Sequence, residues 1–374
     1  MAASCNNRAW LNYISHERYA GRLGNGWSVM FVKYRPVRLK DLVECVECVR
    51  STFGYRSEQE LADLVDFWRE LLSTGAACGA VMEDAGEGIV WFSLKVFVED
   101  AYVQFLKTEA APFVGREVLR SWLKGSSPCL GAREIRRANS TTGVNILVLC
   151  AGAPERMRSA TQMRGLADLV VDFSRYCGAG YRCKELLQEF YDDFTCAWAT
   201  GAGFRLRSDY ARSELGCDDV VHPKLYGVTA AEAAESAGTL VSTIFKYEPP
   251  RFFFRPNEQE LLIEALVGET DEMLAMSLGV AVVTVRKRWD AIYDRVADVL
   301  PDMLQSPKST DGAARGTEKK RQLLSYLRQH PEELRPCENL AGSSTFAFKN
   351  SPLTAEALRW RLGPKVGDNQ AVSA

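Results

Sequence analysis

Phe254 to Val296 reads FRPNEQELLIEALVGETDEMLAMSLGVAVVTVRKRWDAIYDRV. Its apolar residues predict three short helices separated by two tight breaks. Pro256 suits the first helical position, where its missing N–H would be unpaired in any case. Leu261, Leu262 and Leu266 form the first apolar stripe, and Gly268 ends it. Thr270 caps a second helix, with Asp271 and Glu272 in the first turn where the helix dipole favours them. Leu274, Ala275 and Leu278 face inward. Gly279 turns the chain into a third helix, about Val282 to Val296, whose Val282, Val285, Trp289, Ile292 and Val296 share one face.

Val283, Thr284, Arg286 and Lys287 are left outward on that third helix, with Arg288 and Arg295 flanking them. Three helices packed this way make a helix-turn-helix unit. The major groove of duplex DNA admits one helix, and the outward residues of its N-terminal half reach base edges. Arg286 and Lys287 are therefore expected at bases or phosphates, Arg288 and Arg295 at phosphates, and Val283 and Thr284 at a thymine methyl. Double-stranded DNA is the expected partner, bound by a homodimer.

The same stretch resembles the LuxR-type helix-turn-helix regulators. Glu258, Glu260 and Leu262 stand at the E, E and L of that family's first block. Gly268, Thr270, Leu274, Ala275, Leu278, Gly279 and Val280 stand in its second. Thr284, Val285, Arg286, Ile292 and Arg295 stand in its third. The resemblance implies a transcription regulator whose other domain senses a small-molecule or protein signal. Arg255 and Ala281 replace two capping residues of the family pattern, each cap being worth roughly 1 kcal/mol. Met273 and Ala291 replace a common glutamate and asparagine. Of five basic residues between 254 and 300, four lie on the third helix, and nine acidic residues leave the unit acidic.

The 374-residue chain carries a net charge of -2, so it is not a polycation. No run approaches a membrane span, and the N-terminus lacks the order of a secretory signal, which together predict a cytoplasmic protein. Eleven cysteines are expected as reduced, small hydrophobes. Cys45 and Cys48 lack a second ligand pair, so no metal site is expected.

Upstream, Ser57 and Glu60 open a capped helix through Trp68 and Leu72. Cys78 to Met82, Ile89 to Val98 and Asn145 to Ala151 read as strands, and Phe113 to Leu123 as a helix. Leu166 to Phe173 show helical spacing, which Leu186 to Phe194 resume after a glycine break. Thr229 and Glu232 open another capped helix, stopped by Pro249 and Pro250. The expected architecture is an α+β N-terminal domain followed by a small all-α helix-turn-helix domain. Its parts are a segment 1–34, a sensor domain 35–245, a linker 246–253, the helical unit 254–301, and a stretch 302–374 holding a short basic helix (317–330) and a disordered tail.

A second resemblance lies in the sensor. Arg175, Gly178 and Gly180 fit R-x-x-G-x-G, the pyrophosphate-cradling loop of the GNAT-type acetyltransferases, and Ala202-Gly203-Phe204 looks like that family's late A-G-F segment. The resemblance implies coenzyme A binding at a helix N-terminus. That family has a strand just before the loop, whereas the residues before Arg175 carry helical spacing. A GNAT-like acetyltransferase with an accessory helical domain is therefore the alternative. Nothing specific signals acid–base or nucleophilic catalysis: His16 and His222 are isolated, Asp192-Asp193 and Asp218-Asp219 are adjacent pairs, and Trp68, Trp91, Trp122 and Trp198 read as core. The expectation is a regulator without enzymatic activity or cofactor.

Overall fold

The computed structural model describes residues 19–23, 26–30, 32–49, 57–157, 160–210, 223–304 and 312–339. His16, His222, Asp218, Asp219 and the expected tail beyond 339 lie outside them. Strands β1 (Tyr19–Leu23) and β2 (Gly26–Met30) form an antiparallel pair. Then come β3 (Val32–Pro36), α1 (Leu42–Glu47), α2 (Glu58–Ser73), β4 (Ala77–Asp84) and β5 (Gly88–Val98). Three helices follow, α3 (Asp100–Thr108), α4 (Val114–Leu123) and α5 (Ala132–Ser140), before β6 (Val144–Gly152), α6 (Ala160–Gly178) and β7 (Cys183–Phe190). The sheet region closes with α7 (Asp193–Ala202), β8 (Arg205–Asp209), β9 (Lys224–Thr229), α8 (Ala230–Glu235) and α9 (Leu240–Ile244).

Seven strands make one mixed sheet in the order β3-β4-β5-β6-β7-β9-β8. Only β6 and β7 run parallel, because α6 crosses between them; the other neighbours are antiparallel. Both faces are covered. On one, Leu64, Trp68 and Leu71 of α2 and Val118 and Leu119 of α4 pack on Phe92, Leu94, Val96, Leu147 and Leu187. On the other, Leu166, Leu169 and Phe173 of α6 cover Val32, Met82 and Val90, while Cys196 and Ala199 of α7 cover Ile146, Val148 and Leu186. The α+β expectation is met.

Two local expectations are corrected. Leu186 to Phe190 belong to a strand, and the helix begins only at Asp193, where Asp192 accepts from the Thr195 amide. A central strand buried on both faces shows no two-residue alternation, so Leu186-Leu187 and Phe190 imitate helical spacing. Leu187 packs toward α2 and α4, and Leu186 and Phe190 toward α7. The Thr229 cap is made, yet α8 is short and Leu240 to Ile244 form a separate helix. Helices α3 and α5 and strand β9 are not foreshadowed by the apolar pattern.

The C-terminal helices are α10 (Pro256–Ala265), α11 (Asp271–Ser277), α12 (Val282–Val299) and α13 (Gly312–Gln329). Val285, Trp289, Ile292 and Val296 are buried against Leu261, Leu262, Leu274 and Ala275, as their spacing requires. Gly268 and Gly279 take positive φ at the two breaks. The N-terminus of α10 is not uncapped, since the Glu258 carboxylate accepts from the Arg255 amide at 2.7 Å. Leu323, Leu324 and Leu327 of α13 enter the same core, together with Phe252 and Phe254, so α13 is a structural helix of this unit. These helices also bond to the α+β region: Arg38 and Lys40, in the turn after β3, reach Glu269, and Arg136 of α5 donates to the Gln259 side chain at 2.9 Å.

Candidate functional site

The sheet opens at its one parallel pair. β6 and β7 run together from Val144–Cys183 to Val148–Gln188 and then part. Beyond that row each strand is held by its outer neighbour alone: β6 pairs with β5 as far as Gly152–Phe92, and β7 with β9 as far as Phe190–Lys224. A bulge explains the divergence. Lys95 faces Val148 and Leu94 faces Cys150, which leaves Leu149 as an extra residue in β6. Such a residue bends its strand and increases the local twist.

A cavity of about 340 Å³ fills this wedge. Val148, Ala151 and Gly152 of β6 and Leu186, Gln188 and Phe190 of β7 form its sides. Met163, Leu166, Val170 and Phe173 of α6 roof it, and Phe194 and Trp198 of α7 close the β7 side. Trp91 and Trp198, read from sequence as core, pack against the core clusters and also line this cavity.

Glu189 sits at the lip of the wedge, 5% exposed. Its Oε2 accepts from the Val114 amide at 2.8 Å and from the Tyr191 hydroxyl at 3.0 Å, while its Oε1 is buried with no hydrogen-bond partner among the described residues. Burial pushes its carboxyl up to about 7, against the opposing pull of the Val114 amide and the Tyr191 and Tyr210 hydroxyls. Val114 is the first residue of α4, so the positive end of that helix points at the carboxylate. The turn into α4 is unusual. Phe113 takes φ 67°, a conformation that L side chains rarely adopt, and its ring stacks on Tyr191. Just after it the chain must carry a small residue: a Cβ on Gly115 would lie 3.0 Å from the Leu149 carbonyl. The first turn of α4 thus touches both lips, Glu189 on β7 and Leu149 on β6.

Between β6 and α6 the chain passes Ala153-Pro154 and a 3-10 turn at Glu155–Met157; Arg158 and Ser159 lie outside the described residues. Helix α6 begins at the cavity, with Ala153, Met163 and Ala167 in its wall. The residues Gln162-Met163-Arg164-Gly165-Leu166-Ala167 follow a strand and open a helix. They keep the frame of a long polar residue, then glycine three later and a small residue five later. Sequence reading misses this stretch because the strand before it ends at Gly152, ten residues earlier, across a loop.

Arg175, Gly178 and Gly180 do not form the anion cradle expected of them. They stand at the C-terminal end of α6, where carbonyl groups repel anions. Arg175 pairs with Asp172 at 2.8 Å and donates to the Thr243 hydroxyl. A Cβ on Gly178 would meet Ile244 at 2.8 Å, and one on Gly180 the Glu332 Cα at 2.6 Å. Both glycines serve close packing. Ala202-Gly203-Phe204 ends α7, with Gly203 at φ 101° and Phe204 buried before β8.

Of the residues expected at DNA, Val283, Arg286 and Lys287 are exposed and Thr284 is half-buried. Arg288 donates to the Asn257 carbonyl, and Arg295 is ion-paired at 3.1 Å with Glu258, which is 2% exposed. Arg295 therefore holds α12 to α10. Lys320 is likewise engaged, with Asp271 at 3.1 Å. Among the described residues no group of three or more His, Cys, Asp or Glu is placed to hold a metal ion, and Cys45 and Cys48 are both buried. No helix among them is long and apolar enough to cross a membrane.

No family model and no curated protein matches the sequence. Several solved structures align with about half of it. The spermidine/spermine N-acetyltransferase SpeG from Vibrio cholerae, in complex with manganese ions, aligns at 10% identity over 55% of this chain and 96% of that one, with a TM-score of 0.33. Arabidopsis thaliana NAA60 in complex with acetyl-CoA aligns at 13% identity over 53% and 98%, TM-score 0.33. The C-terminal condensation domain of Ebony in complex with beta-alanyl-dopamine aligns at 12% identity over 54% and 99%, TM-score 0.34. These likenesses are to N-acetyltransferases and a condensation domain. None of the three is a LuxR-type regulator, so the expectations that the chain is not an enzyme and that it is a LuxR-type regulator find no counterpart among them. Two of the four cations assigned to DNA, Arg288 and Arg295, bond to α10 within the helical unit.

Proposed function

We propose that the α+β region binds an acyl thioester of the coenzyme A class in the β6–β7 wedge and transfers the acyl group to an amine. The observation that carries this reading is the opening of the sheet at Val148–Gln188, with the buried Glu189 carboxylate at its lip.

The residues present fit such a ligand. Strand edges beyond Val148 and Gln188 have lost each other as partners, which suits an amide-bearing arm laid between them. The walls are largely apolar, and the N-terminal turns of the 19-residue helix α6 offer backbone amides to a pyrophosphate. When bound, the thioester supplies an activated carbonyl carbon: a C–N bond forms from the amine lone pair, the C–S bond breaks, and the thiolate leaves with the second nitrogen proton.

Glu189 takes the first proton. An acceptor amine arrives as an ammonium and must lose a proton before its lone pair is free. A carboxylate pushed up to about 7 matches that task near neutral pH, and its unpartnered Oε1 is the atom that receives the proton. The Val114 amide and Tyr191 hydroxyl fix the other oxygen, so the carboxylate does not rotate away. Gly115 lets α4 approach closely enough for the Val114 bond to form.

Calorimetric titration of the full chain with acetyl-CoA and with CoA tests the reading. Saturable binding of both is expected, followed by CoA release when amines are supplied. Absence of any heat at millimolar CoA rejects it.

A further inference from the structure

Lys95 on β5 lies deep in the same cavity. It is 7% exposed, and its ammonium has no hydrogen-bond or ion-pair partner among the described residues. An ammonium that lines a largely apolar cavity without a partner among the described residues gains from an anion that enters beside it. Neither carboxylate residue of the cavity lining, Glu189 or Asp192, pairs with it, and Asp192 caps α7 instead. Glu189 follows Leu187 toward the α2 and α4 face, while Lys95 shares the α6 side of the sheet with Phe97.

Its position in the sheet says what kind of anion would reach it. Lys95 pairs across the ladder with Val148, and Val148 pairs with Gln188, the last row before the strands part. The Lys95 backbone therefore stands in the row where the wedge begins, two strands over, or about 10 Å at ordinary strand spacing, and its side chain lines the cavity. Val148, Ala151, Val170 and Phe173 contribute apolar wall to the same cavity. Ser93, also buried and two residues along the same strand face, adds a hydroxyl beside Lys95. Burial pushes the nearby Cys177 thiol up, so it stays neutral and does not compete as an anion.

We propose that the acyl donor is a dicarboxylic acyl thioester, whose distal carboxylate pairs with Lys95, and that Lys95 sets this choice of acyl group. The inference rests on the acyl-thioester reading of the wedge. A chain of about four or five carbons spans the distance, given strands about 4.8 Å apart.

Equilibrium binding of the full-length protein to CoA, butyryl-CoA and succinyl-CoA tests it. The two acyl thioesters are alike in length and differ in the terminal carboxylate. The wild-type protein is expected to bind succinyl-CoA at least about ten-fold more tightly than butyryl-CoA, as a charge-assisted bond in a buried site implies. Lys95→Met should bring the two to similar affinity, and Lys95→Gln should leave a small residual preference. Equal affinities in the wild type, or a preference that survives in both variants, overturns the assignment. If no CoA compound binds, the acyl-thioester reading falls and takes this one with it. If CoA and butyryl-CoA bind without a preference for succinyl-CoA, only the role of Lys95 falls. The wild-type ratio stands as a test even where a variant fails to fold.

Discussion

The Glu189 carboxylate accepts from the backbone amide of Val114 at 2.8 Å, across 75 residues of chain. The bond joins the lip of a split sheet to the positive end of a helix inserted between β5 and β6. It leaves one carboxylate oxygen buried and free, and it ties the chemistry of the wedge to the placement of α4.

Glu189→Gln should abolish most turnover while the thioester still binds. Loss of a general base costs about a hundred-fold or more in rate. Steady-state acyl transfer, measured beside CoA affinity, separates the two effects. Equal turnover in the variant would remove Glu189 from the mechanism. In the wild type the rate should rise with pH to a plateau, with a midpoint near 7, because the carboxylate form is the active one.

The same group makes a stability prediction of the opposite sign. Glu189 is held protonated up to about 7, well above an unfolded glutamate. In the window between the two values the folded state binds more protons than the unfolded state. Its contribution is therefore fully present below the unfolded value and is lost as pH rises through about 7. Thermal denaturation from about pH 4 to about pH 8 should show this decline in the wild type and a flatter curve in Glu189→Gln. Parallel curves would contradict the burial argument.

Gly115→Ala brings a Cβ to within 3.0 Å of the Leu149 carbonyl, an atom of the other lip. Either α4 or β6 must yield by a few tenths of an ångström. A loss of roughly 1 to 2 kcal/mol in chemical denaturation is expected for such overpacking. Slower acyl transfer should accompany it, since the Val114 bond moves with the helix.

Arg335 donates to the Tyr176 carbonyl at 2.8 Å and the Ala179 carbonyl at 3.0 Å, closing the C-terminal end of α6. Arg335→Ala should destabilise the chain by about 2 kcal/mol, because it removes a charged donor from a helix end and leaves carbonyls unpaired. Gly180→Ala should act on the same contact through the Glu332 backbone and through its φ of 79°. Both variants should melt earlier and still bind CoA; loss of CoA binding at unchanged stability would restore the anion-cradle reading of Gly180.

Arg286→Ala with Lys287→Ala should change neither melting temperature nor acyl transfer. Both side chains are exposed on α12 and form no ion pair among the described residues. Surface changes of this kind fall within about 0.5 kcal/mol. A marked loss of turnover would show that the helical unit acts on the wedge.

Much of the fold is legible in the apolar pattern. The stripes on α2, α6 and α12 and the runs in β5 and β6 occur where their periods predict. The Ser57, Thr229 and Thr270 caps form as read. β7 is not legible, because a strand buried on both faces carries no alternation. The site is less legible still. Glu189 follows Gln188 in a strand that looks helical, and its partner Val114 lies 75 residues away. Lys95 sits in an apolar run where one lysine is easily taken for an edge. The R-x-x-G-x-G spelling at Arg175 matches in letters and fails in place, since a cradle needs amides and that helix end offers carbonyls.

The sequence by itself determined what local physics can decide: which segments are amphipathic, where helices start, and which glycines break them. Those properties depend on residues within a turn or two of each other. Tertiary structure alone decided that one extra residue at Leu149 opens β6 from β7, that α4 places an amide on Glu189, and that Lys95 stands unpaired in the row where the sheet divides. Each is set by which strands are neighbours and in what register. Register is fixed by packing across the whole sheet, and a single shift by one residue would turn every one of these side chains to the opposite face.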